Sequence, residues 1–280
     1  MKDRPFRFGA NLFMTGDSRA QWRARVRKVE DLGYDVLQVP DHLGMLAPFP
    51  ALAAAADVTR MRLGTYVINA GVVEPAYLAR DIADMHRLTD GRLELGLGAG
   101  YVEEEFAAAG KPFGTPGSRV SRLAEVLTGV QQRLRAERDR PAPSIMIAGA
   151  GNRVLELGAR NADIISFSIV TNFGPGGPED AFAKRVDHVR DVAGERIDDI
   201  ELNLFVAGVG THPSKVDLTL GIQMSGMPAD EVARMPAYLV GSPAAVADRL
   251  LRYREQFGIS YISVLEKDMH DFSKVIPLLR

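Results

Sequence analysis

Two kinds of residue in this chain could do chemistry at the end of a strand: a polar pair, Asp41-His42, and two small-residue clusters. The clusters are Gly98-Ala99-Gly100 followed by Tyr101, and Gly149-Ala150-Gly151 followed by Asn152 and Arg153. Imidazole donates or accepts a proton near neutral pH with little driving force lost, which suits His42 to general acid–base work. Its alternative is a loop histidine satisfied by Asp41. Glycines before a helix N-terminus leave free N–H groups and the helix dipole open to a phosphate, to which Arg153 could add charge; the same glycines also serve a plain tight turn. Two such clusters together point to an extended anionic cofactor. Glu103-Glu104-Glu105 reads as a solvated helix start, with a carboxylate catalyst as the other reading, and Lys267 as a solvated lysine or a Schiff-base former. Met45 and Leu46 either wall the site or belong to the core. His86, His188, His212 and His270 have no metal-ligand spacing, so no metal is expected. Neither Gly-x-Ser-x-Gly nor a Walker-type Gly-Lys-Ser/Thr occurs, which disfavours such serine hydrolases and nucleotide hydrolysis.

The elements that must carry these residues alternate along the chain. Strands are expected at Phe6–Phe13, Asp35–Pro40, Arg62–Ala70, Leu93–Leu97, Ser144–Ala148, Asp163–Ile169, Ile200–Ala207 and Tyr261–Leu265. Between them lie helix signals: Ser18 with Gln21 as a capping box for a helix through Leu32, stopped by Gly33; a helix over Pro50–Met61; Pro75 at a first helical turn, with Gly91 ending that helix. Ser118 begins a helix to about Arg135, Asn152 is read as the N-cap of a helix over Arg153–Asn161, and a loop Gly174–Pro178 precedes a helix Glu179–Ala193. Ser242-Pro243 starts another, ending near Phe257-Gly258, and a terminal helix is expected around Phe272–Leu279. Glu103–Gly117 reads as irregular, and Gly210–Val240 breaks the rhythm apart from a short helix at Pro228–Arg234. Eight strand–helix alternations with continuously apolar strands and no linker predict one domain over residues 1–280. It is an α/β fold, a single (β/α)8 TIM barrel with loop insertions after strands four and seven. In such a barrel ligands gather at the strand C-termini, here Asn11, Asp41, His42, Asn69, Gly98, Gly100, Tyr101, Gly149, Gly151, Ser168, Asn203 and Glu266.

Composition narrows the partners. The 280 residues are 46% hydrophobic and 25% charged, with 34 basic against 36 acidic side chains and a net charge of −2. Nothing in that balance attracts nucleic acid or an anionic membrane, so a small-molecule substrate is the default. Cysteine is absent, which removes disulfides, thiolate metal sites and cysteine nucleophiles and is compatible with a cytoplasmic location. No long apolar stretch follows Met1-Lys2-Asp3-Arg4-Pro5, so neither a signal peptide nor a membrane span is expected.

Several segments taken together are similar to one family. Val39-Pro40-Asp41-His42, Leu63-Gly64-Thr65-Tyr66-Val67, Pro75 with Leu78-Ala79-Arg80, Leu88-Thr89-Asp90-Gly91-Arg92, Leu95-Gly96-Leu97-Gly98-Ala99-Gly100 and Gly241-Ser242-Pro243 occur in the family's order over nearly the whole chain. The chain resembles the bacterial luciferase-like superfamily, specifically its deazaflavin (coenzyme F420) dependent oxidoreductases. The resemblance implies a flat ring lying across the strand C-termini. Asp41 and His42 would sit beside it, with His42 bonding the deazaflavin or exchanging a proton as hydride moves. Tyr66 and Val67 fall where the family often has a non-proline cis peptide, and Asn69 could bond the ring edge. Gly98, Ala99, Gly100 and Tyr101 would border the cofactor, with Gly98 and Gly100 letting backbone approach it, while Gly149, Ala150, Gly151 and Arg153 match the phosphate end. One departure is Tyr101: related sugar-phosphate dehydrogenases carry glutamate there, and they place tryptophan where this chain has Leu46. Sugar-phosphate oxidation is therefore in doubt.

The resulting expectation is hydride transfer between F420 and a small organic substrate. The alternatives are an FMN-dependent monooxygenase using the same pocket, a cofactor-binding barrel without turnover, and an unrelated barrel lyase using Lys267. Family analogy suggests a homodimer through early helices, where Trp22, Val26 and Val29 form a stripe; that stripe could equally face its own barrel.

Overall fold

In the computed structural model, residues 4–13, 18–136, 142–169, 173 and 176–280 are described. The chain runs β1 (Arg7–Asn11), α1 (Arg19–Asp31), β2 (Val36–Val39), α2 (Pro48–Ala56), β3 (Arg62–Thr65), β4 (Ile68–Asn69), α3 (Pro75–Leu88), β5 (Leu93–Gly98) and α4 (Glu103–Ala108). It continues α5 (Pro116–Ala136), β6 (Ser144–Gly149), α6 (Asn152–Asn161), β7 (Ile164–Phe167), α7 (Gly177–Ala193), β8 (Glu201–Val206), β9 (Gly208–Gly210), α8 (Thr219–Ser225) and α9 (Ala229–Val232). The last elements are β10 (Tyr238–Val240), α10 (Pro243–Phe257), β11 (Ile259–Leu265) and α11 (Met269–Ser273). The main sheet runs β3-β2-β1-β11-β8-β7-β6-β5-β4, and β3 also pairs with β5, closing the ring. Because β3 and β4 are two halves of one stave, the result is a closed eight-stranded parallel barrel with helices outside, as the alternation predicts. Short β9 and β10 form a separate parallel pair beside it.

Successive strand residues face opposite sides, and the burial follows that period. Phe8 and Ala10, Leu37 and Val39, Leu95 and Leu97, and Ile145 and Ile147 pack outward with the helices in one large core. Val36, Met146, Ile164 and Tyr261 form a smaller apolar group with Tyr66 and Val67. Polar residues share that interior. At the N-terminal ends of the strands, Arg7 pairs with Glu94 (2.7 Å) and Glu201 (2.6 Å), Arg62 adds a second contact to Glu94 (2.5 Å), and Arg7 lies 4.3 Å over the Tyr261 ring. A buried carboxylate such as Glu94 is tolerable only with this many donors around it.

Local signals explain most element boundaries. Ser18 and Gln21 make the reciprocal capping box, Ser242 caps α10 ahead of Pro243, and Gly33, Gly91 and Gly258 take positive φ at helix ends. The stripe Trp22, Val26 and Val29 is buried against the chain's own barrel, with the Trp22 indole N–H on the Ala51 carbonyl (2.9 Å).

Several expected boundaries differ. The strand expected over Arg62–Ala70 is split by a cis peptide between Tyr66 and Val67. The helix expected over Pro50–Met61 starts at Pro48, where proline needs no N–H partner, and stops at Ala56. Asn152 is the first helical residue of α6 and Gly151 is its N-cap, without a side-chain cap. Glu103–Gly117 is not irregular throughout, since it contains α4 and the start of α5. Gly210–Val240 holds α9 (Ala229–Val232) where the short helix is expected, with α8 and β10 in addition, and the expected terminal helix is divided into α11 at Met269–Ser273 and a 3-10 turn at Ile276–Leu278. Of the expected Gly174–Pro178 loop, residues 174 and 175 lie outside the described residues.

Glycines on β1, β3 and β5 leave room inside the barrel, unequally. A Cβ on Gly64 would make only ordinary contacts, the nearest at 3.5 Å, whereas one on Gly96 would overlap the Thr65 carbonyl oxygen and lie 2.8 Å from Val67. Gly96→Ala is therefore expected to cost about 3 kcal/mol or to prevent folding. Gly64→Ala should stay within about 1 kcal/mol, and urea midpoints of the two variants check the contrast.

Candidate active site at the strand tips

The C-terminal ends of β2, β3–β4, β5 and β6 are consecutive around the barrel, so the residues singled out in the sequence share one rim. Asp41 and His42 follow β2. Asp41 is half-buried and accepts the Asn69 backbone N–H (3.1 Å), which ties the β2 tip to β4. Burial raises its carboxyl above the usual range; the Asn69 hydrogen bond and His42 oppose the rise, and Glu105 adds to it.

His42 is not satisfied by Asp41. Its Nδ1 lies 2.8 Å from Glu105 Oε1, and its Nε2 lies 3.3 Å from the Tyr101 hydroxyl, with the two rings edge-on at 5.6 Å. The Glu105 side chain is only 13% exposed, so the solvated reading of Glu103-Glu104-Glu105 fails at its third residue. Glu105 is the functional candidate that the sequence understated. Nothing local in the sequence marks it: in α4, Glu103 and Glu104 stay exposed while Glu105, beside the buried Phe106, turns to His42.

Tyr66 points inward. Its hydroxyl is 2.6 Å from Ser166 Oγ and 3.2 Å from Asn203 Oδ1, and Asn203 continues to Ser263 (2.8 Å), a polar layer beneath the rim. Burial pushes the Tyr66 phenol up, against the hydrogen bonds from the serines. Val67 fills the space left by Gly96 and Gly98: a Cβ on Gly98 would meet Val67 at 2.7 Å. A Cβ on Gly100, which has φ +77°, would overlap Asn69 Oδ1 and lie 2.8 Å from Phe106. The space beside Gly98 and Gly100 is thus occupied by protein. Ala99 and Tyr101 complete that tip, half-buried and exposed respectively.

Two buried amides at the rim are incompletely bonded. Asn69 Oδ1 accepts the Gly71 N–H (3.0 Å) but its Nδ2 has no partner, and Asn11 Oδ1 has none either. Such orphans are costly unless something else satisfies them. At the β6 tip, the space around Gly151 is open, the first N–H groups of α6 have no helical acceptor, and Arg153 reaches the Gly117 carbonyl (3.5 Å). Arg185 of α7 holds the Ala150 carbonyl (3.0 Å), and burial lowers its pKa. The charge at this turn is positive. Gly149 itself is closed over by Val154, 2.7 Å from where a Cβ would be.

Other expected tip residues fall outside this group. Lys267 is paired with Asp217 (2.5 Å), which holds the Asp217 carboxyl well below its usual range and gives the lysine a carboxylate partner. Glu266 pairs with Arg25. Ser168 donates its backbone N–H to the Gly149 carbonyl (3.2 Å), and Asn203 lies one layer below the rim. Of two clefts, one of about 440 Å³ lies at the opposite end of the barrel near Arg62 and Ser144, and the other, of about 740 Å³, runs between α5 and α6 with Arg153 in its lining. Neither contains His42. Among the described residues no helix is long and apolar enough to cross a membrane.

The fold is a closed parallel α/β barrel with a histidine–carboxylate pair and a basic glycine turn on one rim. The family model for luciferase-like monooxygenases matches residues 5–234, and the chain belongs to that family. An F420-dependent glucose-6-phosphate dehydrogenase of Intrasporangium calvum is 31% identical over 166 residues, 49% of this chain and 50% of that protein. The chain thus spans about half the length of this curated relative. By structure, it is similar to a coenzyme F420-dependent tetrahydromethanopterin reductase from Methanopyrus kandleri (TM-score 0.77, 16% identity, 99% of this chain and 100% of that one). It is also similar to an EDTA monooxygenase from Chelativorans sp. BNC1 (TM-score 0.76, 15% identity, 99% and 93%).

Asp268, after β11, offers a test of the electrostatics around the rim. Burial raises its pKa to about 6, and one of its oxygens has no partner. A raised carboxyl binds its proton more tightly in the folded state, so the stability it contributes is present below about pH 3.8 and is lost as pH rises to about 6. Asp268→Asn is expected to remove that slope and to stabilise the protein by about 1–2 kcal/mol at neutral pH. Thermal melts across that range measure it.

Proposed function

We propose that the protein transfers hydride between coenzyme F420 and a small organic substrate, with His42 and Asp41 as the polar groups beside the ring. The observation that carries this reading is the shared rim of His42, Asp41 and the unpartnered Asn69 amide, next to the open, basic Gly149–Arg153 turn. The buried orphans fit a ring with polar edges: Asn69 Nδ2 is a donor in search of an acceptor, and Asn11 Oδ1 an acceptor in search of a donor. The N-terminus of α6, Arg153 and the neighbouring Arg185 would hold an anionic tail, with Gly149, Ala150 and Gly151 forming the turn. Tyr66 and Val67 would lie under the ring, and the β5 tip from Gly98 and Ala99 to Gly100 and Tyr101 would border it from behind Val67 and Asn69, which fill the space over the two glycines. When bound, a deazaflavin accepts or donates hydride and does not readily activate oxygen, whereas FMN can do both. His42 would hold or move the proton that accompanies hydride, reaching a substrate heteroatom through the group on its Nε2, and the half-buried Asp41 would fix the β2 and β4 tips.

The curated relative that is F420-dependent supports the choice of deazaflavin. The structural likeness to a monooxygenase keeps FMN as the second reading, since the same rim would accept either ring. Tyr101, in the place of the glutamate of sugar-phosphate dehydrogenases, argues against a sugar phosphate as substrate.

Titration of the purified protein with F420 and with FMN separates the readings: saturable change in deazaflavin fluorescence is expected, with little FMN binding. Tight FMN binding without deazaflavin binding would overturn the first reading. His42→Ala is expected to lower turnover by about 10²–10⁴-fold while the protein still binds the cofactor; unchanged turnover in steady-state assays would remove His42 from the chemistry.

A further inference from the structure

Glu105 lies outside the residues assigned above, yet its geometry decides the state of His42. Its Oε1 accepts the Leu43 backbone N–H (3.1 Å), a group that can only donate, and the same oxygen lies 2.8 Å from His42 Nδ1. An ionised carboxylate has no proton to give, so the hydrogen between them belongs to Nδ1. In the neutral ring Nε2 is then an acceptor, and the group placed to donate to it is the Tyr101 hydroxyl at 3.3 Å. A phenol keeps its proton near neutral pH, so Tyr101 is available as the donor.

The carboxylate is held firmly. Phe106, the next residue of α4, is 2% exposed and fits notches made by two glycines, since a Cβ on Gly71 would overlap its ring and one on Gly100 would lie 2.8 Å from it. Phe113 meets the Phe106 ring edge-on at 5.2 Å, and Arg119 covers Phe113 at 4.0 Å while donating to the Gly100 carbonyl (3.1 Å). A helix too short to hold itself is thereby fixed to the β5 tip.

We propose that Glu105 is a positioning residue that fixes His42 as the Nδ1–H tautomer, and that Tyr101, His42 and Glu105 form a proton relay whose exposed end is the Tyr101 phenol. The place of the relay in catalysis rests on the hydride-transfer reading; its geometry does not. A proton leaving a substrate hydroxyl goes to Tyr101 Oη as the phenol proton goes to His42 Nε2. The substrate oxygen becomes anionic, the imidazole becomes imidazolium, and that ion keeps its Nδ1–H on the Glu105 carboxylate. The reverse direction returns the same proton. Tyr101, 67% exposed, is the member that a substrate in the mouth of the barrel can reach.

The test uses the cofactor-free protein labelled with 15N-histidine, so its outcome is separate from the choice between F420 and FMN. Long-range 1H–15N spectra at mildly alkaline pH, with His42→Ala to assign the resonance, are expected to show His42 protonated at Nδ1 and bare at Nε2. Glu105→Gln keeps an oxygen acceptor and should retain that pattern. Glu105→Ala should lose it in favour of the Nε2–H form or an averaged mixture. Tyr101→Phe should keep the tautomer but shift the Nε2 resonance toward that of a free pyridine-type nitrogen. An Nε2–H tautomer in the unsubstituted protein, an unchanged Nδ1–H form in Glu105→Ala, or an unmoved Nε2 resonance in Tyr101→Phe would each overturn the proposal, and the first needs no variant to fold.

Discussion

Between β5 and the Tyr66–Val67 peptide there is no room for a side chain on the inner face. Gly96 and Gly98 give their space to Thr65 and Val67, and Gly100 gives its space to Asn69 and Phe106. Everything at the rim is set by that exclusion. With Val67 seated against β5, β4 returns to the sheet at Ile68–Asn69, Asn69 presents its N–H to Asp41, and Tyr66 is driven into the polar layer with Ser166 and Asn203. With Phe106 seated against Gly71 and Gly100, α4 carries Glu105 to His42. The β2 tip is thus gripped from two directions, by Asn69 through Asp41 and by Glu105 through His42; the first depends on Val67 seated against Gly96 and Gly98 of β5, the second on Phe106 seated against Gly71 and Gly100.

The two ends of the barrel interior solve different problems with polar residues. At the N-terminal end, Glu94 is enclosed by Arg7, Arg62 and the Tyr261 hydroxyl (3.4 Å), a closed set in which donors outnumber the carboxylate. Charges buried this way add little net stability over an apolar plug, because desolvation cancels most of the attraction. At the C-terminal end the accounting is left open: Asn69 and Asn11 each keep an unpaired atom although both are more than nine-tenths buried. Asn69 and Asn11 place unsatisfied hydrogen-bonding capacity at the face where ligands bind in this architecture, while Gln38 Oε1 in β2 and Ser260 Oγ at the start of β11 carry unpaired atoms elsewhere on the strands.

The sequence was informative where a local rule decides the outcome. The barrel was legible because eight apolar runs alternate with helices whose caps, Ser18 with Gln21 and Ser242 with Pro243, are readable over a few residues. The rim was legible as a set of strand tips, because parallel topology places every C-terminal end on one face. What was not legible depends on contacts between segments far apart in the chain. Nothing near Glu105 says that His42, 63 residues earlier, will take it out of solvent. Nothing near Gly98 says that its missing side chain serves Val67. In the insertion after β8 the short helix was legible but the strand pair was not: β9 and β10 are three residues each and exist only because they pair with one another.

The origin of the two partners of His42 bears on how such a site changes. Asp41 is held by the barrel itself, through the Asn69 backbone N–H of β4. Glu105 and Tyr101 sit beyond β5, on a segment attached to the barrel by one aromatic anchor and a few carbonyl contacts. Replacement of that segment could therefore reset the tautomer and the proton partner of His42 without repacking a strand. The asparagine and glycine geometry of the strand tips would be preserved while the partners of His42 changed. On the proposed function, a scaffold that keeps its ring-binding groups in the strands and its proton-handling groups in an insertion would supply one redox ring to substrates that differ in whether, and where, a proton must move.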